Sequence, residues 1–109
     1  MTFHRTEIFE EEYQELARLA KVLAHPARLA ILKYLAEVKA CISGDISNEI
    51  PLSRTTVSQH LQVLREAGFI QGQIDGVKIN YCLNPENVKR FRELIENYLG
   101  QINNNSCCK

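Results

Sequence analysis

The sequence predicts a mostly α-helical domain of five helices with a β-hairpin between the fourth and the fifth, and three observations carry this. Residues 52–68 read Leu-Ser-Arg-Thr-Thr-Val-Ser-Gln-His-Leu-Gln-Val-Leu-Arg-Glu-Ala-Gly: a polar start, a helical apolar stripe and a glycine stop. Asp75-Gly76, shortly after, suits a two-residue hairpin turn, because both central positions take positive φ. Val77, Ile79, Tyr81 and Leu83 then alternate with Lys78, Asn80 and Cys82, so one face packs and the other meets water. A recognition-type helix followed at once by a hairpin is the order of a winged helix-turn-helix.

The first helix is expected over about Glu7–Ala24, capped by Thr6, since Ile8, Phe9, Tyr13, Leu16, Leu19, Ala20 and Leu23 recur at helical spacing. Pro26 fits the first turn of a second helix that ends near Glu37. Leu29, Ile31, Leu32 and Leu35 make that helix apolar over much of its circumference, which predicts a buried central position. Ser43 can cap a short third helix, Gly44–Ile50, with Asp45 suited to its dipole and Pro51 ending it. Ser53 caps the fourth. After the hairpin, Asn84-Pro85 is a cap followed by a first-turn proline. The last helix runs to about Leu99, with Val88, Phe91, Leu94, Ile95, Tyr98 and Ile102 on one stripe and Gly100 as its stop. Residues 1–100 are read as one domain for DNA binding and dimerisation, and 101–109 as a flexible tail bearing two cysteines.

Composition narrows the function classes. A hydrophobic content of 45% over 109 residues excludes general disorder and allows one modest core. No apolar run approaches the roughly 18 residues of a membrane helix, and the N-terminus lacks a secretory pattern, so a cytoplasmic location is expected. The net charge of zero counts mildly against a nucleic-acid binder. Charge is segregated, however. Glu7, Glu10, Glu11, Glu12 and Glu15 gather in the first helix, whereas Pro51–Arg65 holds two arginines, a histidine and no acid.

The fourth helix carries the functional signal. Val57, Leu61 and Leu64 share one narrow face. Thr55, Ser58, Gln59 and Gln62 project the other way, with Ser53, Arg54 and Thr56 at the N-terminal end. Such a helix suits the major groove, and Lys78 on the wing can reach a phosphate or the minor groove. His60 lies beside the buried stripe, where a histidine either braces the helix or touches a phosphate. The long apolar stripes of the first and last helices predict a homodimer through those helices, which would present two recognition helices to a two-fold operator of double-stranded DNA.

These residues resemble a known family, the ArsR/SmtB metalloregulatory repressors. The matching pieces are Leu23-Ala-His-Pro-Ala-Arg-Leu-Ala-Ile-Leu32, Cys41-Ile-Ser-Gly-Asp-Ile46, Leu52 through Ile70, and the hairpin ending Val77-Lys-Ile-Asn-Tyr81, covering roughly residues 10 to 100 in order. The resemblance implies a homodimeric winged-helix repressor that releases DNA when an inducer binds, often a thiophilic metal ion or metalloid. Carried over, its DNA-reading positions fall on Arg54, Thr55, Thr56, Ser58, Gln59 and His60.

The family's best-known thiol signature has two cysteines one residue apart at the start of the third helix. This chain keeps only Cys41, with Ser43 or Gly44 where the second would stand. It ends instead in Cys107-Cys108, which the core fold does not need. Cys41 with this pair makes three thiolates, the number As(III) or Sb(III) would take, and soft thiolates select soft acceptors. The arsenic assignment comes from the resemblance, not from the spacing. Seven residues separate Gly100 from Cys107, a reach of at most about 25 Å, enough to approach Cys41 within or across subunits. Cys82 is read as a structural or incidental thiol. The last helix has Glu86, Glu93 and Glu96 but no histidine, so the zinc site of some relatives is not expected. Neither CxxC nor HExxH occurs.

The leading expectation is therefore an operator-binding repressor induced by As(III) or Sb(III), with no cofactor for DNA binding itself. Its alternatives are the same scaffold responding to thiol oxidation or to another soft ion such as Cd(II), and a winged-helix module that binds protein alone. An enzyme is not expected: Ser58 and His60 point in different directions on one helix, and no oriented acid accompanies them.

Overall fold

The computed structural model describes residues 9–38, 41–43, 49–75 and 78–103. Their order is α1 (Glu11–Val22), α2 (Pro26–Val38), β1 (Ile42–Ser43), α3 (Arg54–Glu66), β2 (Ile70–Asp75), β3 (Lys78–Leu83) and α4 (Pro85–Asn103). Helix α3 leads at once into the antiparallel β2–β3 hairpin, so the expected winged helix-turn-helix is present. The expected helix over 44–50 falls largely outside the described residues; Glu49 and Ile50 form a turn and a bend.

Helix α3 is specified at both ends. Ser53, in extended backbone, accepts a hydrogen bond on Oγ from the Thr56 amide at 3.2 Å, the N-cap its sequence predicts. At the other end Gly68 takes φ +89°. The Phe69 amide then donates to the Leu64 carbonyl and the Gly68 amide to the Arg65 carbonyl, each at 3.0 Å, which is a Schellman closure. Between these ends Val57, Leu61 and Leu64 are at most 1% exposed. They form the core with Leu19, Ile31, Leu35, Ile50, Phe69 and Ile70.

The sheet has three strands in the order β1-β3-β2. Strand β1 pairs with the outer edge of β3, Ile42 opposite Tyr81 and Ser43 opposite Asn80. Ser43, expected as a helix cap, is thus in a strand, one too short for alternation to reveal. The hairpin register pairs Asp75 with Lys78 and Ile74 with Ile79. Asp75, expected in the two-residue turn, is therefore the last residue of β2, and Gly76 lies outside the described residues.

Three helices depart from expectation. Helix α1 starts at Glu11 rather than Glu7, because Glu10 supplies no side-chain cap and Gln14 Nε2 donates to the Phe9 carbonyl at 2.7 Å; Thr6 lies outside the described residues. Helix α2 is not buried all round: Ile31 and Leu35 are buried, whereas Leu29 is 51% exposed. In a domain with so few packed layers one stripe is covered and the rest faces outward. Helix α4 passes through Gly100 to Asn103, since glycine at that point keeps helical geometry, and any tail begins after Asn103. Asn84 caps α4 as expected, accepting from the Asn87 amide on Oδ1 at 3.4 Å.

Candidate functional site

The polar side of α3 faces solvent. Arg54, Thr55, Ser58, Gln59 and Gln62 are exposed, and the last four follow the i, i+3, i+4, i+7 spacing of one helix face. Ser53 is exposed too, but its hydroxyl is engaged: it also donates to Thr56 Oγ1 at 2.9 Å, so these two hydroxyls shape the helix start. Gln62 Nε2 donates to Glu66 Oε2 at 3.3 Å. Lys78 opens β3 opposite Asp75, at the tip of the wing. The ladder of hydroxyl and amide groups can both donate and accept along base edges, and the major groove, about 12 Å wide, admits such a helix.

His60 does not belong to that ladder. It is 8% exposed, and its Nδ1 accepts a hydrogen bond from Arg28 Nε at 3.2 Å. The neutral ring then carries its proton on Nε2. This is the geometry of a brace, one of the two roles expected of His60, and it arises because position 60 falls among the core residues Val57, Leu61 and Leu64. Arg28 Nη1 also donates to the Val22 carbonyl at 3.0 Å, so one guanidinium joins the end of α1, the start of α2 and the middle of α3. The His25 ring lies 4.4 Å from that of His60, while His25 Nδ1 caps α2 by accepting from the Ala27 amide at 3.1 Å. Burial, then the neighbouring His25 and Arg28, hold the His60 imidazole below its ordinary pKa.

Arg28 is a positioning residue that the sequence pattern did not single out; it lies in the His25-Pro-Ala-Arg28 piece of the family motif, the signal that could have found it. His25, beside Pro26, reads from the sequence as a cap or turn residue, and capping is the role it has.

The thiols are arranged differently from expectation. Cys41 and Cys82 are joined by a disulfide, with their Cα atoms 4.4 Å apart. Cys82 is therefore not an incidental thiol on a wet face: β1 covers that edge of β3, and Cys82 is half-buried. Cys41 is exposed and must be reduced before it can ligate an ion. Among the described residues no group of three His, Cys, Asp or Glu side chains could hold a metal. A soft-ion site on Cys41 would thus need sulfur from Cys107 and Cys108, which lie outside the described residues.

Apolar side chains remain exposed on the outer helices. Phe9 and Tyr13, at the start of α1, are 57% and 43% exposed, and Val88, Leu99 and Ile102 on α4 are 40–54% exposed. The two helices run antiparallel, linked by Arg90 Nε donating to Glu15 Oε2 at 3.2 Å, Asn97 Nδ2 donating to Glu12 Oε1 at 2.9 Å, and an edge-on Tyr13–Tyr98 contact. No described helix is long and apolar enough to cross a membrane.

Comparison with known proteins agrees with this geometry. The family model of the bacterial regulatory proteins of the arsR family matches residues 25–71. The chain is 31% identical over 86 residues to the uncharacterized HTH-type transcriptional regulator MJ1325 of Methanocaldococcus jannaschii, covering 79% of this chain and 97% of that one. A solved structure of a possible transcriptional regulator for arsenical resistance superposes with a TM-score of 0.64 at 30% identity, over 72% of this chain and 81% of that one. The homodimeric winged helix-turn-helix DNA-binding domain Mb0332 from Mycobacterium bovis gives a TM-score of 0.65 at 25% identity, over 93% of this chain and 90% of that one.

Proposed function

The chain belongs to the arsR family of bacterial regulatory proteins, transcriptional regulators of the DNA-binding type, and from that premise we propose that it is a homodimeric repressor released from its operator by As(III) or Sb(III). The observation that carries the reading is the exposed ladder Thr55, Ser58, Gln59 and Gln62 on a helix whose opposite face is sealed in the core. In the major groove that ladder reads base edges while Arg54, and Lys78 on the wing, meet phosphates. The exposed apolar residues of α1 and α4 support the dimer, since a second copy would cover them. The likeness to a regulator for arsenical resistance supports the inducer class. In the reduced protein, Cys41 with Cys107 and Cys108 supplies three soft ligands just before the segment that leads into α3. Such a ligand shifts the equilibrium only as far as it prefers the DNA-incompetent dimer.

The test is fluorescence anisotropy of the protein on its own upstream promoter DNA, kept reduced with a phosphine. Arsenite is expected to release the wild type and to leave the Cys107→Ser/Cys108→Ser protein bound. Release that ignores the double substitution rejects the tail ligands; binding that no arsenite disturbs rejects the inducer. A duplex affinity that does not fall steeply with salt rejects the operator reading itself.

A further inference from the structure

We propose that Cys41 and Cys82 form a reversible dithiol–disulfide switch that, once oxidised, withholds Cys41 from the inducer and keeps the repressor on DNA. The second half of this statement rests on the inducer reading above; the first does not.

The backbone places the pair. Ile42 stands opposite Tyr81, so Cys41, one residue before β1, continues the antiparallel register opposite Cys82. Their Cα separation of 4.4 Å matches the non-hydrogen-bonded pair of an antiparallel ladder and lies within the range a disulfide spans. Ile42 and Ser43 also pair with β3 through the backbone, a contact made without sulfur that would keep both thiols adjacent after reduction and primed to close again. The bond joins positions 41 residues apart, tying the chain that leads into α3 to the wing. A protein working on DNA meets a reducing thiol pool, in which disulfides are commonly transient or redox-sensing rather than lasting.

The two sulfurs differ in access, and this assigns their roles. Cys41 is exposed and Cys82 half-buried, so Cys41 meets the oxidant and Cys82 resolves. With a hydroperoxide, the Cys41 thiolate attacks the O–O bond; a sulfur–oxygen bond forms, and the other oxygen leaves as alcohol or water after taking a proton. The Cys82 sulfur then attacks the Cys41 sulfenic acid, forming S–S and breaking S–O, and water departs with the Cys82 proton. The two thiols lose two electrons and two protons, and the hydroperoxide is reduced to alcohol and water. The bonded form shown here keeps the α3 ladder exposed and the sheet intact, so DNA affinity persists while Cys41 is withheld.

The thiol chemistry is tested on full-length Cys107→Ser/Cys108→Ser protein, which retains only Cys41 and Cys82. After reduction and brief treatment with hydrogen peroxide, maleimide-reactive thiols should fall from two to none, with the intact mass lower by two hydrogens and both thiols restored by phosphine. A free Cys82 beside an over-oxidised Cys41, or a link between molecules, overturns the switch. Its consequence is tested on the wild type and Cys82→Ser, each treated with peroxide, then with ascorbate, which returns a sulfenic acid to thiol and spares a disulfide, and titrated with arsenite on promoter DNA. The oxidised wild type should bind DNA within about threefold of the reduced protein yet need at least tenfold more arsenite for release; Cys82→Ser should release like the reduced protein. Equal blockage of Cys82→Ser would place the effect in the tail cysteines and reject the gating. If arsenite fails to release even reduced wild type, the inducer reading is what fails, and thiol mapping alone decides the switch.

Discussion

Helices α3 and α4 are both strongly amphipathic, yet α3 buries four of its residues and α4 none. The chain itself supplies what faces α3: α2, the start of β2 and the His60–Arg28 brace close around it. For α4, among the described residues, Phe91 is set edge-on to Phe69, Leu94 is partly covered, Asn87 donates to the Gly68 carbonyl, and α1 adds polar links and the Tyr13–Tyr98 contact. An apolar stripe therefore says that a face will be covered, and topology decides whether by its own chain or by another. In this molecule the covered stripe supports the exposed polar ladder of α3, and the uncovered one is the face that we propose a second copy covers.

Truncating one leucine from each helix tests that contrast most sharply. Leu64→Ala removes a side chain with 0% exposure and should lower stability by about 2–5 kcal/mol in urea unfolding. Leu99→Ala, at 48% exposure, should change the stability of the monomeric state by less than about 0.5 kcal/mol. It should instead raise the dimer dissociation constant in sedimentation equilibrium. A large monomer effect with no change in association would mean that α4 serves its own chain alone.

The glycine that ends α3 and the one within α4 form the next pair. At Gly68 a Cβ would lie 2.5 Å from Asn87 Nδ2, which donates to the Gly68 carbonyl at 2.8 Å, and φ is positive. Gly68→Ala should therefore cost about 1–3 kcal/mol. A Cβ at Gly100 meets nothing within 4 Å, and the residue is helical, so Gly100→Ala should stabilise by about 0.5–1 kcal/mol. Thermal unfolding of the two variants should move in opposite directions. A Gly100→Ala protein that melted lower would show that position 100 needs glycine for close approach in the dimer.

The same contrast explains what could be read in advance. Ser53, the Val57–Leu64 stripe and Gly68 were legible because their signals are local: a cap, a period and a positive φ each depend on a few neighbouring residues. Asn84 was legible for the same reason. Gly100 misled because glycine permits a helix stop without enforcing one. Asp75, expected in the turn, is in β2 opposite Lys78, because ladder pairing along two strands involves more residues than a two-residue turn preference does. The Cys41–Cys82 and Arg28–His60 contacts join residues 41 and 32 positions apart, and no local pattern encodes which distant residues will meet.

The smallest expected effect is a pH dependence that differs between the two regions. His60 is held below its ordinary pKa, so the unfolded chain binds its proton more readily than the folded one. Stability contributed by neutral His60 is present above the ordinary imidazole value of about 6.5 and is lost as pH falls from there through the lowered folded value. Protonation also costs Nδ1 its acceptor role toward Arg28. Glu15 is held down by its hydrogen bond from Arg90, so the α1–α4 link is lost only in a lower window, as pH falls from the ordinary carboxylate range through the lowered folded value. Amide hydrogen exchange between pH 7 and 5.5 should therefore show α3 loosening before the α1–α4 pair does. His60→Gln, which keeps an acceptor but cannot titrate, should flatten the α3 response. If α4 loosened first instead, the brace would not be what holds α3 in place.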